Sequence, residues 1–331
     1  MFVLSTVPSF AARFYPSLWW QVIRTIYFLI WVFPRFVIGS FGKDVVYIKV
    51  NGGFALIFDS IFAAISRLIG KRLILHHNSF SYLNERSRLA AQAFRMAGPT
   101  AKHIVNCGCM QNQLETHYGL KGQALLLSNA TILGAPDVSA SATGDQIVSK
   151  DNFPINPPLR VGYMSYYTEE KGIGLFGDTI QATRRQGAKI TALAAGIIHD
   201  QVYFDQISKQ YSGSVEFCGP QYGDAKEQFF AGLDILLFPS KYRTEAEPLV
   251  VYDALAQGIP VVATQVGCLS EMLDGYTHCH SFPIEDYQEK ASKLLIEWSA
   301  KSSAQRQSAK QQTAMQYRAQ IKTMSNQMVF I

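Results

Sequence analysis

Short apolar runs alternate with longer amphipathic stretches along most of the chain, and the pattern changes once, between residues 134 and 158. Before this change, residues 84–98 have helical periodicity and end at Gly98, a residue type that commonly ends helices. Strands that alternate with helices predict a parallel, doubly wound sheet. The runs of strand length in this first series are 44–50, 71–77, 102–107 and 123–129.

The segment 134–158 is rich in Ser, Asp, Asn and Pro, a composition typical of a linker. A second alternating series follows it, so the same physical argument predicts a second parallel sheet. The runs of strand length in this second series are 160–166, 189–196, 214–219, 234–240 and 259–264.

We therefore predict an α/β fold with two Rossmann-like, parallel-sheet domains that face a cleft. The first domain covers residues 1–133 and the second covers residues 159–305, with the linker between them. Residues 306–331 are expected to form a helix that returns to the first domain. In open parallel sheets, ligands bind beyond the carboxyl ends of the strands, so a binding site is expected at that edge.

The segment Leu18–Ile38 is unusually apolar and resembles a membrane segment. Arg24, Pro34 and Arg35 interrupt it, and its longest uncharged apolar run is well short of the roughly 20 residues that a membrane span needs. It also lacks the small-residue cleavage site of a signal peptide. The sequence therefore disfavours a spanning helix.

Two other interpretations of this segment stay open. One is a buried helix of the first domain. The other is a helix that lies in the membrane interface, with Trp19, Trp20 and Trp31 at the level of the lipid headgroups. A single helix satisfies both if it uses different faces.

Positive charge is concentrated in the first third of the chain. Residues 1–100 contain 11 Lys and Arg but only 3 Asp and Glu, a net charge of +8, whereas the whole chain carries +5. A basic, aromatic-rich region indicates an anionic partner, either a membrane surface or a phosphate-bearing acceptor. A nucleic-acid partner is not expected, because no base-stacking or helix-turn-helix signature accompanies the charge.

The five cysteines form neither a disulfide framework nor a pattern of paired CxxC motifs. Cys107 and Cys109 make a single CxC, for which a metal site is disfavoured against reduced cytosolic thiols. We expect no metal and no cofactor.

The stretch 238–271 carries the most chemistry. It contains a strand ending at Pro239, a polar loop, a helix with Pro248 near its start, and a further strand. The beginning of a helix offers unpaired N–H groups and a positive dipole end, which favour phosphate. The residues expected to contact a ligand there are Glu247, Pro248, Leu249 and Val250.

Two carboxylates flank this helix start. Glu245 lies in the loop and Asp253 lies within the helix, with seven residues between them. Alone, this spacing also fits two solvated surface carboxylates.

The whole stretch, from these carboxylates through the following strand to Glu271, resembles the retaining GT-B glycosyltransferases of family 4, the glycosyl transferases group 1. The resemblance implies a nucleotide-sugar donor in the second domain. It implies that Glu245 binds hydroxyls of the donor sugar and that Asp253, in place of the usual glutamate, holds the ribose.

The stretch 160–172 resembles the family's diphosphate clamp. Lys171 matches the clamp lysine, while Ser165 and Tyr166 replace the usual Gly-Arg pair, so one cation is missing. Lys241 or Arg243 are candidates to supply it. The region around Gly219 resembles the position where the family holds the nucleobase.

The first domain matches the family more loosely, as the acceptor side. His77, or its neighbour His76, followed by Asn78, resembles a segment whose histidine faces the cleft near the reacting centre; a core or helix-capping histidine is the alternative. Gly52 and Gly53 follow a strand and suit a close backbone approach.

The start of the chain departs from the family pattern. It begins with an apolar run at residues 2–5 that would be the second strand, with no glycine-rich loop before it. The resemblance therefore implies a shortened first domain without its usual first strand.

The first functional hypothesis is a hexosyl-type, metal-independent retaining glycosyltransferase with Glu245, Lys171 and His77 as its catalytic residues. It would use a UDP- or GDP-sugar and a glycan or lipid-linked acceptor in surface polysaccharide assembly. We expect it in the cytoplasm, peripherally on the inner face of the plasma membrane. The alternative is a degenerate or partial GT-B chain that binds a sugar nucleotide or a partner subunit; a nucleotide-sugar epimerase is disfavoured.

Overall fold

The chain divides into two compact units in the computed structural model, which describes residues 3–5, 18–133 and 157–328. The first unit comprises Met1–Val105 and Gln111–Leu126, and the second comprises Asn106–Met110 and Leu127–Ile331. The division falls a few residues before the predicted domain end at 133. Most of the predicted linker, residues 134–156, lies outside the described residues.

The first unit is built on a four-stranded parallel sheet of order β1-β2-β3-β4. The strands are β1 (Val45–Val50), β2 (Arg72–His77), β3 (Lys102–Val105) and β4 (Ala124–Leu126). The helices are α1 (Leu18–Tyr27), a π-helical turn (Phe28–Val32), α2 (Phe33–Ser40), a 3-10 turn (Gly53–Ala55), α3 (Leu56–Leu68), α4 (Arg88–Ala97) and α5 (Gly108–Tyr118), which starts in residues assigned to the second unit.

Two details of the first sheet differ from the prediction. The strand expected over 123–129 stops at Leu126, because Asn129 already begins a short helix. The strand expected over 2–5 is wrong for the part that is described, since residues 3–5 have no regular structure.

One face of the helical segment α1–π turn–α2 packs on α3. Phe28 stacks on Phe58 with ring centroids 4.3 Å apart, and Phe36 contacts Phe62 with centroids 4.5 Å apart. Phe28 and Val32 are fully buried. One face of this segment belongs to the core and the other is exposed, so a buried helix and a helix in the membrane interface both stay compatible with the structure.

The residues Trp19–Ser40 are also long and apolar enough to cross a bilayer by length and composition alone, a test that core helices and signal sequences pass as well.

The π-helical turn keeps the packed side chains of this segment in line. Phe28, Val32 and Phe36 recur every four residues, whereas an α-helix repeats every 3.6 and rotates such a series around its surface. A π turn absorbs one additional residue, so the later side chains return to the face that contacts α3.

The second unit is built on a six-stranded parallel sheet of order β10-β9-β8-β5-β6-β7. Its strands are β5 (Leu159–Met164), β6 (Ile190–Ala195), β7 (Glu216–Gly219), β8 (Ile235–Phe238), β9 (Val261–Thr264) and β10 (His280–Phe282). Its helices are α6 (Asn129–Leu133), α7 (Ile173–Arg185), α8 (Gln201–Gln210), α9 (Asp224–Ala231), α10 (Leu249–Ala256), α11 (Leu269–Leu273), α12 (Ile284–Ala300) and α13 (Ser303–Met328).

The last helix, predicted to return to the first domain, is assigned to the second unit. The ammonium of Lys310 on α13 donates to the Leu233 carbonyl at 2.8 Å, and Arg306 pairs with Asp234 at 3.3 Å. Both partners lie beside β8. The helix thus closes the second unit at the amino end of its sheet.

Histidines of the first sheet lie in its core. His77 is fully buried; its Nδ1 is 2.8 Å from the Tyr82 hydroxyl and its Nε2 is 2.9 Å from His103 Nδ1. Nearby, the buried carboxylate of Asp59 accepts from the backbone and side-chain nitrogens of Asn51, both at 2.8 Å. A core with this many titratable groups is sensitive to pH.

Acidification is expected to destabilise the first unit. Burial lowers the pKa of His103 to about 4, and burial with the neighbouring His103 and His76 lowers the pKa of His77 well below its usual value. Because the unfolded histidines titrate near pH 6.5, they take up protons on unfolding; their stabilisation is complete above that pH and is lost as the pH falls towards 4. The slope per histidine is roughly 1.4 kcal/mol per pH unit at its steepest.

Asp59 acts in the opposite direction. Burial raises its pKa to about 6. Its contribution to the stability of the first unit is therefore complete at low pH and is lost as the pH rises through about 6, which partly offsets the stabilisation that the histidines gain over the same range.

Urea unfolding between pH 8 and 4.5 tests this balance. Tryptophan fluorescence reports mainly on the first unit, which holds Trp19, Trp20 and Trp31 of the four tryptophans. His103→Gln should flatten the pH dependence, while His199→Gln, at an exposed position of the second unit, should leave it unchanged. Equal slopes in all three proteins would contradict the assignment.

Candidate functional site

Three loops meet at the carboxyl edge of the second sheet because β5, β8 and β9 are neighbours in a parallel sheet. Two glycines allow close contact between loop backbones. Gly172 has φ +80° and an added Cβ would overlap the Pro239 carbonyl; Gly267 has φ +56° and its Cβ would overlap the Glu245 carbonyl. Both backbone conformations are ones that other residues rarely adopt. The loops are thereby held against one another.

An ion pair lies at the centre of this edge. Lys171 Nζ is 2.6 Å from Glu245 Oε2, with the two side chains 19% and 11% exposed. The Ser240 hydroxyl donates to the same carboxylate oxygen at 3.0 Å, and the Lys171 ammonium lies 4.3 Å from the centre of the Tyr242 ring. A carboxylate and an ammonium are therefore held together at the edge where parallel sheets bind ligands.

A buried tyrosine, Tyr163, holds the backbone of Lys171 by a hydrogen bond. The Tyr163 hydroxyl donates to the carbonyls of Lys171 at 3.2 Å and of Tyr166 at 2.8 Å. The Lys171 N–H donates to Thr168 Oγ1 at 3.3 Å. Rigid support of this kind reduces the entropy lost when a ligand is bound.

A second ion pair lies on the helices that follow β7 and β8. Asp253 on α10 accepts from Lys226 Nζ on α9 at 3.0 Å, and both side chains are partly exposed, 26% and 34%. Lys226 was not among the residues predicted from the sequence. Its distance from Asp253 in sequence gives no sign of the contact, because the order of the strands in the sheet is what brings the two helices together.

Helix α10 begins at the same edge. Pro248 precedes it with extended backbone, and Leu249, its first residue, is 49% exposed. Val250 is partly buried, while Val251 and Tyr252 pack in the core. The start of α10 therefore lies at an accessible surface.

Glu247 does not have the arrangement expected of a donor-binding residue. Its carboxylate is buried and accepts from Ser128 Oγ at 2.6 Å, from Asn106 Nδ2 at 3.0 Å and from the Asn129 N–H at 2.5 Å. The Tyr252 hydroxyl is a further, short-range donor. With all its acceptor positions occupied by protein groups, Glu247 connects separate segments of the second unit, and the prediction of a ligand contact by its side chain is not supported.

The other residues predicted to bind the nucleotide-sugar donor lie near the carboxyl edge of the second sheet. Tyr166 follows β5 and is 48% exposed, and Arg243 is exposed in the loop before Glu245. Gly219 ends β7 with φ +67° and has open space where a Cβ would lie. Its carbonyl accepts the Gly196 N–H at 2.9 Å.

The residues predicted for the acceptor side lie in the first unit. His76 is buried, and its Nδ1 is hydrogen-bonded to the Tyr47 hydroxyl, while Asn78 is partly exposed. At Gly52 a Cβ would overlap the Ser81 side chain, and Gly53 has φ +60°. Gly53 is therefore explained by its backbone conformation, and Gly52 by its close contact with the Ser81 side chain.

The catalytic role predicted for His77 has no support in this structure. Its side chain is fully buried, and both ring nitrogens already have hydrogen-bonding partners in the sheet and the loop after it. The alternative, a core histidine, describes the observed arrangement.

Two cysteines are paired, contrary to the expectation of separate reduced thiols. Cys107 and Cys268 form a disulfide across 161 residues of sequence, while Cys109, Cys218 and Cys279 remain thiols. Cysteines so far apart in sequence have no characteristic spacing that predicts a disulfide, and only the fold brings the two together. Cys268 precedes α11, and its N–H donates to the Ala246 carbonyl at 3.0 Å, so the bond lies directly behind the Glu245 loop.

Glu271, one turn beyond the disulfide, holds the same segment. Its carboxylate accepts the backbone N–H groups of Gly108 at 2.8 Å and Cys109 at 2.6 Å. The glutamate that closes the sequence motif therefore has a visible structural role.

Part of the chain is similar to known proteins. Residues 158–297 match the family model described as glycosyl transferases group 1. The chain is 26% identical over 166 residues to glycogen synthase of Marinomonas sp. (strain MWYL1), and 23% identical over 147 residues to the amylovoran biosynthesis glycosyltransferase AmsK of Erwinia amylovora. The matches cover 49% and 43% of this chain but only 34% and 36% of the relatives, about a third of their length.

The solved structure of Anabaena Alr3699/HepE in complex with UDP is similar over most of the chain. Its TM-score is 0.64 at 18% identity, and the match covers 90% of this chain and 82% of that one. A likeness at this identity shows the fold. The predicted α/β fold with two parallel-sheet domains of the GT-B type is confirmed.

Replacing Glu247 should destabilise the second unit. Glu247→Ala removes the shared acceptor of four hydrogen bonds, which is expected to cost about 3–5 kcal/mol in the free energy of unfolding. Glu216→Ala, at an exposed position on β7, is the matched control and should change stability by less than about 0.5 kcal/mol. Chemical denaturation measures both. Native stability of Glu247→Ala with loss of nucleotide binding would instead place this side chain at the ligand.

Reducing the disulfide should also lower stability. Opening a cross-link over a long loop typically costs roughly 2–5 kcal/mol, so the midpoint of thermal unfolding should fall on addition of reductant. Thiol titration in denaturant should find three thiols before reduction and all five after it. Cys268→Ser should abolish the effect of reductant and Cys218→Ser should retain it. Five titratable thiols in the untreated protein would disprove the cross-link.

Proposed function

We propose that the second unit binds a nucleotide-sugar donor and that the chain is a retaining glycosyltransferase of family 4. The observation that carries the proposal is the Lys171–Glu245 pair at the carboxyl edge of the sheet, beside the accessible start of α10. It lies within the segment that matches the glycosyl transferases group 1 family. The UDP held by the Anabaena relative's structure supports a uridine nucleotide, and GDP-sugars are the second choice.

Each charged group has a distinct part in donor binding. The Lys171 ammonium and the N–H groups at the start of α10 would contact the diphosphate. Glu245 would accept hydrogen bonds from hydroxyls of the sugar, and Asp253 from the ribose. In the free protein, the ion pair neutralises Lys171 and Glu245; on binding, each would exchange this partner for a group of the donor.

Transfer breaks the bond between the anomeric carbon and the diphosphate oxygen and forms a bond from that carbon to the acceptor oxygen. The acceptor would attack on the face from which the diphosphate leaves, and its proton would pass to the departing phosphate oxygen. Lys171 and the α10 N-terminus would stabilise the charge that develops on the leaving group. The mechanism requires no carboxylate nucleophile and, as we propose it, no metal.

The acceptor is proposed to be a glycan or a lipid-linked saccharide in surface polysaccharide assembly. The similarity to the amylovoran biosynthesis enzyme supports this class, as does the basic charge of residues 1–100. A hexose as the transferred sugar and a cytoplasmic site of action complete the proposal.

The alternative is a chain that binds a sugar nucleotide without turnover. Two observations favour it: Tyr166 occupies the position where the family has a cation, and His77 is sealed in the core. Binding alone does not separate the two functions, whereas donor consumption does.

Donor binding is tested first by calorimetry with UDP, GDP, ADP and their common sugar conjugates. Lys171→Ala should weaken nucleotide binding by roughly 1.5–3 kcal/mol, about 10- to 150-fold, the scale of a charge-assisted hydrogen bond. Lys189→Ala, before β6 at the opposite edge of the sheet, should bind as tightly as wild type. Unaltered affinity in Lys171→Ala would show that the diphosphate is held elsewhere.

Catalysis is tested by following release of free nucleotide from the donor that binds, with membrane extracts as the source of acceptor. Glu245→Gln removes the charge but keeps the size of the side chain, so it should abolish transfer while the protein stays folded. Turnover by wild type that Glu245→Gln retains would remove Glu245 from the active site. Tight binding with no turnover by wild type would support the non-catalytic alternative.

A further inference from the structure

The helical segment of the first unit has a large apolar surface that no other part of the described chain covers. Its outward-facing residues include Trp19, Ile26, Leu29, Ile30, Ile38 and Phe41, which are between 52% and 76% exposed. We call these six residues the outer face. Apolar patches of this extent on a folded protein mark interaction surfaces.

The opposite face is already occupied, which limits what the outer face binds. Phe28, Val32 and Phe36 pack on α3 and are at most 8% exposed. A helix that crosses a bilayer as a single span is surrounded by lipid, whereas this segment packs one side on α3. The partner must therefore cover one side only, as an interface does.

The charges around the outer face indicate the chemistry of the partner. The residues from Leu18 to Lys43 include Arg24, Arg35 and Lys43 and no acidic residue. Arg35 lies over the ring of Trp31, with its nitrogen near the Trp31 carbonyl, so the cation stays beside the aromatic surface. Apolar and aromatic residues flanked by cations match the boundary between acyl chains and anionic headgroups.

We propose that the outer face lies in the interface of an anionic lipid bilayer and holds the first unit on the membrane surface. The apolar side chains would enter the boundary between headgroups and acyl chains. The cations and the net charge of +8 over residues 1–100 would attract the anionic headgroups. The inference stands on exposure and charge and does not depend on the proposed function.

Vesicle flotation of the full chain tests the proposal. Vesicles of phosphatidylcholine with 30 mol% phosphatidylglycerol, roughly the charge density at which anionic membranes attract polybasic segments, should carry the protein. Pure phosphatidylcholine should carry at least tenfold less, and high salt should weaken the anionic binding. A well-folded wild type that floats with neither vesicle, or equally with both, overturns the assignment.

Substitution on the outer face tests whether its apolar side chains are the ones that enter the lipid. The double variant Ile30→Gln, Ile38→Gln replaces two exposed side chains and should reduce flotation at least tenfold with unchanged circular dichroism. The control, Val202→Gln with Met315→Gln, changes two exposed apolar residues of the second unit and should float like wild type. Undiminished flotation of the outer-face variant would overturn the proposal.

Two further readouts distinguish a bilayer from a second copy of the chain. Trp19 and Trp31 should shift their emission to shorter wavelength on vesicle binding and be quenched by brominated lipid. Sedimentation equilibrium should give the same mass for wild type and the outer-face variant. A wild-type dimer that the variant converts to monomer, without a lipid-induced emission shift, would assign the face to self-association instead.

Discussion

The position of β8 directly beside β5 is the constraint on which the candidate site depends. Lys171 and Glu245 are 74 residues apart in sequence, and they meet because neighbouring parallel strands end at the same edge of the sheet. The next strand adds to the same cluster, since the Thr264 hydroxyl donates to the Ser240 carbonyl and Ser240 donates to Glu245. These hydrogen bonds, one of them to the Ser240 backbone, therefore connect the ends of three strands, and any change in strand order would separate the residues that form them.

Two glutamates in the Glu245 loop illustrate how the same side chain takes different parts. Glu245 pairs with one lysine at an accessible edge, while Glu247 accepts from donors in two distant segments and is sealed among them. The second anchors the loop that presents the first. An irregular loop has no periodicity, so nothing in the residue types distinguished the buried anchor from the ion-paired glutamate.

The parts of the molecule that could be predicted from sequence are those governed by local pattern. Apolar runs of strand length and the breaks between them predicted both parallel sheets. The family resemblance singled out Lys171 and Glu245, which the second sheet brings together as an ion pair; their part in donor binding stays a prediction. The parts that failed depend on contacts between distant segments: the Cys107–Cys268 bond and the Lys226 partner of Asp253. The catalytic role predicted for His77 failed for a related reason. The sequence around a histidine at a strand end does not show whether the following loop leaves the side chain accessible or buries it.

The π-helical turn at Phe28–Val32 lets the N-terminal helical segment hold one residue more than regular α geometry without changing its faces. Loss of one residue within the turn would restore regular α geometry and leave Phe36 against Phe62. Loss of one residue from α1 or α2 has no such compensation and would rotate the residues on one side of the gap by about 100° relative to the other side. Related chains should therefore confine single-residue gaps in this segment to the turn, and an alignment that places such a gap in a flanking helix would exchange the inside of the helix with its outside.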